Sequence, residues 1–412
     1  MKNIGAEKIT NRHFQYISSF ILLTWAITGI VIGWLFRLDG ADFMQFESDA
    51  WVFFESGSSG LLDVEPNILY FLTHENLLPT AIYNFIYSSL KLISINPDPI
   101  YGIIANTCTM VLSNFLIVRY SRNVLGTNGR QSLLQANLLG GFGVFLMFGG
   151  IHLRDCFAVL LMTVSAIFFN RGIVYKQGPS KRLLMLLVFM IVGFLTRTEM
   201  VVIALLGFTS QIFLNAKKSF FDAFQIIFAL LLAIIMYGAI FNTVSEQYQA
   251  YLALSKAESG SSSLAYSALY EAPLLISTIL SAFLVLFIKF PFFAGIFSDS
   301  YAFFMSIGAF QMIFFIPYFF DKVFQVIAST GELRDRYLHF VIIIFGLLLA
   351  VSLTSMQARH FFVAYPLMVL VAVPNNKIYT VYKSRPLIRA LCILLGLFAV
   401  ILNVLSSWLK LI

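Results

Sequence analysis

Residues 17–36 have the sequence ISSFILLTWAITGIVIGWLF, which contains no charged side chain. An α-helix rises about 1.5 Å per residue, so this run is long enough to cross the roughly 30 Å hydrocarbon core of a bilayer. A cleavable signal peptide has a shorter apolar region than this. We therefore predict that the run stays in the protein as its first transmembrane helix.

The rest of the chain has the same apolar character. Of its 412 residues, 59% are hydrophobic and 11% are charged, and the mean hydropathy is +0.86. A soluble protein is about 45–50% apolar and about 25% charged. The composition predicts one all-α polytopic integral membrane domain over residues 1–412. It argues against most soluble enzyme classes, zinc-finger scaffolds and nucleic-acid modules.

Eleven apolar runs are predicted to cross the membrane, at residues 17–36, 100–118, 133–150, 156–169, 183–195, 200–214, 224–241, 302–320, 340–355, 361–373 and 388–409. Two more runs, 77–95 and 274–293, are predicted to re-enter the membrane or to lie on its outer surface. They belong to a first periplasmic loop, residues 37–99, and a second, residues 242–299. Thirteen spans, with both of these runs crossing, is the alternative.

The positive charges predict the orientation. With the N-terminus in the cytoplasm, 19 of the 27 Lys and Arg residues fall in cytoplasmic segments, as the positive-inside preference requires. The net charge of +7 is therefore first an orientation signal. The predicted surroundings are a lipid bilayer, and no nucleic-acid partner is predicted.

The glycine-rich segment GGFGVFLMFGG, residues 140–150, lies inside a predicted span. Small residues let helix backbones approach closely in membranes. We therefore predict close helix packing there, in preference to a nucleotide-binding loop.

Residues 37–76 of the first periplasmic loop hold eight of the chain's 20 acidic residues, among them Asp42, Glu47 and Asp49. A plain solvated loop would also be acidic. However, aromatic side chains such as Trp51 are interleaved with these acids, which suits a loop on the membrane surface with sugar rings to stack on. Asp42, Glu47 and Asp49 are the candidate catalytic residues.

Three short outer turns each place an arginine beside an apolar run: Arg154-Asp155, Arg197-Thr-Glu199 and Arg359-His360. An arginine next to hydrocarbon tends to face a polar cavity or a partner. Alternatively, each could reach the headgroups or pair locally, Arg154 with Asp155 and Arg197 with Glu199. All three turns are predicted to lie on the same side of the membrane as the acidic loop.

Together these residues predict a chemistry. Guanidinium groups give bidentate hydrogen bonds to phosphate oxygens, and a nearby carboxylate can take the proton of an attacking hydroxyl. The pattern favours transfer of a group from a lipid-linked phosphate or pyrophosphate. The second periplasmic loop, with Ser and Gly between tyrosines, is either a gating loop or a plain connector.

The chain resembles bacterial O-antigen polymerases and, more broadly, polytopic GT-C glycosyltransferases. The resemblance rests on the loop residues Asp42, Glu47 and Asp49-Ala-Trp51, and on the motifs Leu153-Arg154-Asp155, Leu195-Thr-Arg197-Thr-Glu199, Ala358-Arg359-His360 and Ala364-Tyr-Pro366. It covers the whole chain by layout, but its motifs are short and loose.

The resemblance implies an inverting enzyme of the bacterial inner membrane, with an outward-facing active site and a polyprenyl pyrophosphate-linked glycan as donor. Arg154, Arg197 and Arg359 would hold the pyrophosphate, with Asp155, Glu199, His360 and Trp51 as further substrate-binding residues. A first-loop acid, Asp42 or Asp49, would be the base. The loop departs from the family pattern because it lacks a paired-acid signature. The identity of the base and the need for a divalent metal therefore stay open. We predict no other cofactor, and no residues are assigned as metal ligands.

Three functions are compatible with this sequence. The first is a polysaccharide polymerase that joins lipid-linked repeat units, with a chain-length regulator protein as a further partner. The second is a GT-C glycosyltransferase that adds one sugar from a polyprenyl phosphate. The third is a flippase or transporter of lipid-linked sugar, which would require charged residues at mid-span.

Overall fold

The computed structural model describes residues 2–38, 54, 58, 77–150, 154–175, 177–197, 199–214, 282, 286, 300–353, 358–375, 390, 393, 394, 397, 398 and 401, without the side chains of 2–12, 33–38, 199, 300–302, 305, 353, 358 and 359. All regular structure in this part of the chain is helical. The helices are α1 (Lys2–Leu38), α2 (Leu77–Leu92), α3 (Pro99–Asn123), α4 (Gly129–Gly140), α5 (Gly143–Gly150), α6 (Asp155–Tyr175), α7 (Pro179–Thr196), α8 (Glu199–Leu214), α9 (Ser300–Ala328), α10 (Glu332–Leu353), α11 (Ala358–Phe362) and α12 (Tyr365–Ala372).

Short polar signals start several of these helices. Asp98 caps α3 by accepting a hydrogen bond from the Ile100 N–H, and Pro99 occupies the first helical position. Proline is favoured there because its missing N–H would have no partner inside the helix. A reciprocal capping box between Asn128 and Gln131 starts α4.

Six of the described helices are long and apolar enough to cross a membrane, namely α1, α3, α6, α7, α9 and α10. Together α4 and α5 form a seventh candidate span, bent by 59°. The chain is thus a polytopic helical membrane protein. The count of eleven spans stays a prediction, because the runs 224–241, 274–293 and 388–409 lie wholly or almost wholly outside the described residues.

Several interhelical loops meet at one end of the helix bundle. The Arg336 guanidinium donates to the Val124 carbonyl oxygen at 3.1 Å, and the Arg336 carbonyl accepts from the Asn170 amide at 2.7 Å. At the same end, the Asn375 amide donates to the Leu125 carbonyl oxygen at 2.8 Å. We call this the basic end, because its loops and helix termini carry Arg119, Arg122, Arg130, Arg171, Arg334 and Arg336.

The opposite end contains the turns before α6 and after α7, which an ion pair between Asp155 and Arg197 joins. We call it the Arg197 end. At about 1.5 Å per residue, the 22 residues of α10 cover about 33 Å from the basic end, so α11 begins at the Arg197 end. The described basic loops therefore lie at the opposite end of the bundle from Arg154 and Arg197, and the cytoplasmic location of the basic end stays a prediction.

The predicted span 133–150 is broken between α4 and α5, and the side chain of Gln311 on α9 bridges the break. Its amide nitrogen donates to the Gly141 carbonyl oxygen at 2.6 Å, and its amide oxygen accepts from the Gly143 N–H at 2.8 Å. These bonds satisfy two backbone groups that the interrupted helix leaves without an intrahelical partner. A helix break inside the membrane is thereby stabilised by a helix distant in sequence.

The glycines around this break bring helices into close contact, which confirms the predicted role of residues 140–150. A Cβ atom built on Gly143 would lie 2.5 Å from the Phe304 carbonyl oxygen. One built on Gly150 would lie 3.0 Å from the Gly29 carbonyl oxygen. Only glycine therefore fits both positions without a backbone shift.

The predicted span 361–373 falls on two short helices, α11 and α12, and every residue of α12 is buried. Helix α12 packs chiefly against α9 and α10. A helix that is apolar on all sides is expected in the interior of a membrane bundle. This segment therefore belongs to the protein core and not to the lipid-facing surface.

Candidate functional site

The centre of the candidate site is the buried ion pair between Asp155 and Arg197. Their Oδ1 and guanidinium nitrogen atoms are 2.5 Å apart, and both side chains are almost fully buried, at 4% and 5% exposure. Asp155 is the first residue of α6, and Arg197 caps the C-terminus of α7 with its N–H bonded to the Gly193 carbonyl oxygen. Each charge therefore lies at the helix end whose dipole favours it.

A second polar contact lies one residue along α6. The side-chain oxygen of Asn106, on α3, accepts from the Tyr83 hydroxyl at 2.7 Å and from the Cys156 thiol at 3.2 Å. Asn106, Tyr83 and Cys156 are all fully buried. Because Asp155 and Cys156 are consecutive, the two sets of contacts form one group. We call it the Arg197 cluster, and it consists of Tyr83, Asn106, Asp155, Cys156 and Arg197.

The Arg197 cluster connects helices that are far apart in sequence. Tyr83 comes from α2, Asn106 from α3, Asp155 and Cys156 from α6, and Arg197 from the end of α7. The ring of Tyr83 also makes an edge contact with Phe157, with centroids 5.6 Å apart. The cluster therefore fixes the relative positions of four helices at the Arg197 end.

Burial determines the protonation state of Tyr83. Desolvation, followed by the nearby Cys156 thiol, raises the pKa of the Tyr83 hydroxyl well above its ordinary value. A buried phenol is hard to ionise because the charged form loses its hydration. Tyr83 is therefore a neutral donor to Asn106 throughout the physiological pH range.

The structure places several of the predicted site residues at the same end of the bundle. Arg154 precedes α6, next to Asp155, and is half-buried. Arg359 and His360 lie in α11, which begins at the Arg197 end, and His360 is buried. The side chains of Arg359 and Glu199 lie outside the description, as do Asp42, Glu47, Asp49 and Trp51 entirely.

The pairing of Asp155 with Arg197 was not among the pairs that the sequence suggests, and the local pairs Arg154–Asp155 and Arg197–Glu199 stay predictions. The spacing of 42 residues between Asp155 and Arg197 gives no local signal. Tyr83, Asn106 and Cys156 were not among the predicted site residues either. Asn106 offered one usable signal, because it is a polar residue inside the apolar run 100–118.

In the part of the chain that the structure describes, no group of three or more His, Cys, Asp and Glu side chains could hold a metal ion. The Arg197 guanidinium is the cation of the Arg197 cluster. Asp155 holds the guanidinium in one orientation, and an oriented guanidinium is a planar donor suited to phosphate oxygens. A cation fixed in this way can bind an anionic ligand without first losing side-chain freedom.

Comparisons with protein-family models, with characterised proteins and with solved structures find no match for this chain.

Proposed function

We propose that this protein is a membrane glycosyltransferase of the polysaccharide polymerase type, acting on a polyprenyl pyrophosphate-linked glycan at the Arg197 end. The main support for this proposal is that Asp155 orients Arg197 through an ion pair. Arg154 and the α11 turn with Arg359 lie at the same end of the bundle. Three arginine-bearing turns from distant parts of the chain thus share one end. Such a set suits the two phosphates of a lipid-linked donor.

In this proposal the acceptor sugar's hydroxyl oxygen forms a bond to the anomeric carbon of the donor. The bond between that carbon and the pyrophosphate oxygen breaks, and polyprenyl pyrophosphate leaves with the bonding electron pair. Asp42, Glu47 or Asp49 takes the hydroxyl proton as general base. The arginines stabilise the negative charge that develops on the leaving group.

Single replacements test the arginines. Arg154→Ala, Arg197→Ala and Arg359→Ala are expected to shorten or abolish the ladder of long-chain glycan on gels. Each should lower polymer yield about tenfold or more, since a hydrogen bond to a charged group contributes roughly 1.5–3 kcal/mol. Arg130→Ala, an exposed arginine at the basic end, is the matched control. An unchanged ladder for all three variants, with normal amounts of protein in the membrane, would overturn the proposal.

A GT-C glycosyltransferase that adds one sugar shares the same layout, and the product separates the two. A polymerase extends lipid-linked repeat units into a ladder, whereas a single-sugar transferase gives one fixed mass increase. An assay with purified protein and a lipid-linked repeat unit measures this directly.

A carrier for lipid-linked sugars is a second candidate, and the break between α4 and α5 favours it. Many secondary transporters bind their substrates where helices are interrupted inside the membrane. Here, however, the side chain of Gln311 already makes hydrogen bonds to the backbone groups at the break. The ring of Phe142 beside it stacks on Tyr365. Transfer of labelled lipid-linked sugar across vesicles, without any product of glycan transfer, would support the carrier.

A further inference from the structure

A separate cavity lies between α1 and α3 at the basic end, with a volume of about 450 Å³. Its polar lining consists of Gln15 and Ser18 from α1 and Arg119, Arg122 and Asn123 from the last turns of α3. Ligand-binding pockets typically have about 300–1,000 Å³. The cavity is thus large enough for a phosphate-containing headgroup, and it belongs to the opposite end of the bundle from the Arg197 cluster.

The lining changes from polar to apolar along the helix axes. Leu22, Phe115 and Val118 form the part nearer the membrane centre. On α1, the residues next to the lining positions are large, apolar and exposed, among them Phe20 and Leu23. An amphiphilic molecule with a charged head and acyl chains fits such a gradient, whereas a free inorganic anion would use only the polar part.

Arg122 gives the cavity its charge at a depth where a cation is costly. It lies in the last turn of the candidate span α3, and it is only 9% exposed. Its guanidinium carbon lies 5.8 Å from the ring centroid of Phe14 on α1, so Arg122 bridges the two helices that form the walls. Arg119, one turn earlier, is exposed and adds a second cation to the same cavity.

We propose that this α1–α3 cavity binds the phosphate headgroup of an anionic phospholipid, with Arg119 and Arg122 as the phosphate ligands and Gln15 and Asn123 as neutral hydrogen-bonding neighbours. Basic pockets between transmembrane helices are suited to anionic headgroups. The neighbouring apolar wall of Leu22, Phe115 and Val118 accommodates the first part of the acyl chains. The bound lipid would fasten α1 to α3.

Native mass spectrometry of the full-length protein in a neutral detergent tests this directly. The probes are phosphatidylglycerol, phosphatidylcholine with the same acyl chains, and inorganic phosphate. Phosphatidylglycerol is expected to stay bound at concentrations where phosphatidylcholine does not. In the double variant Arg119→Gln/Arg122→Gln, phosphatidylglycerol should bind about tenfold more weakly or worse, because two charged donors are lost.

Two controls keep the result interpretable. Arg130→Gln removes an exposed arginine of the basic end that does not line the cavity, and it should leave lipid binding unchanged. If the double variant is not recovered folded, Arg119→Gln alone replaces it, since Arg119 is exposed. Equal binding of both phospholipids, displacement by inorganic phosphate at equal concentration, or unchanged binding in the arginine variants would each overturn the proposal.

Discussion

Phe142 stacks on Tyr365, with ring centroids 3.8 Å apart and planes inclined by 15°. Phe142 lies in the break between α4 and α5, and Tyr365 begins α12 just after the short helix α11. The Tyr365 hydroxyl also donates to the Leu138 carbonyl oxygen at 3.2 Å. Two interrupted segments of the chain therefore meet at this stacked pair, and Gln311 bonds to the backbone of the first segment beside it.

Gln311→Met is expected to destabilise the protein by about 2–6 kcal/mol. The substitution keeps the size of the side chain but leaves the Gly141 carbonyl and the Gly143 N–H without their partner, and each unsatisfied buried polar group costs about 1–3 kcal/mol. Thermal unfolding in detergent measures the change. Phe314→Leu, on the exposed face of the same helix, should have little effect. Equal stability of Gln311→Met and the wild-type protein would mean that the break does not depend on Gln311.

Gly143→Ala should lower stability by about 1–3 kcal/mol, the usual cost of overpacking. The new methyl group would meet the carbonyl oxygen of Phe304 and the N–H of Gly308, at 2.5 and 2.7 Å, and neither is a flexible side chain. Gly178→Ala is the matched control, because nothing lies within 4 Å of a Cβ built on Gly178. If both variants unfold at the same temperature, α5 and α9 are not in the contact described.

The ion pair of the Arg197 cluster can be tested by a double-mutant cycle. Asp155→Asn and Arg197→Gln should each destabilise the protein by about 3–5 kcal/mol, because each leaves a buried charge without its partner. The double variant should be less destabilised than the sum of the two, since no charge is then left. Unfolding by denaturing detergent, followed by far-UV circular dichroism, gives the three values. Strict additivity would contradict a direct interaction between the two residues.

Topology is open to a separate test with reporter fusions. Fusions ending after Lys218 and after Asn376 should report a cytoplasmic location, because the positive-inside preference predicts it for both segments. A fusion ending after Thr198, in the turn after Arg197, should report the opposite side and serves as the control. A periplasmic signal after Lys218 or Asn376 would reverse the predicted orientation.

The helical spans could be predicted from the sequence because long apolar runs have few other structures available in a bilayer. Close helix packing at residues 140–150 could also be predicted, because glycines inside an apolar run let helix backbones approach each other. The break at Gly141 could not be predicted, since residues 138–150 are apolar throughout and the partner that stabilises the break, Gln311, is 168 residues away from Gly143. Local sequence contains no information on such a partner.

The candidate site could likewise be predicted from the sequence only in part. Arg154, Asp155 and Arg197 could be selected from sequence because polar residues at the ends of short apolar runs are unusual. The contact between Asp155 and Arg197, and the addition of Tyr83 and Cys156, could not be predicted, because the Arg197 cluster is assembled from four helices. Sequence proximity suggested Glu199 as a partner of Arg197, and helix packing adds Asp155, which is distant in sequence.

The bridge at Gln311 has a consequence for biogenesis. During synthesis, the peptide groups at Gly141 and Gly143 enter the bilayer well before α9 has left the ribosome. Until then, the translocon, water or a temporary neighbour must supply their hydrogen bonds. The bend between α4 and α5 is therefore completed late in synthesis. A nascent chain released before residue 300 lacks Gln311, and with it the side chain that bonds to Gly141 and Gly143 in the folded protein.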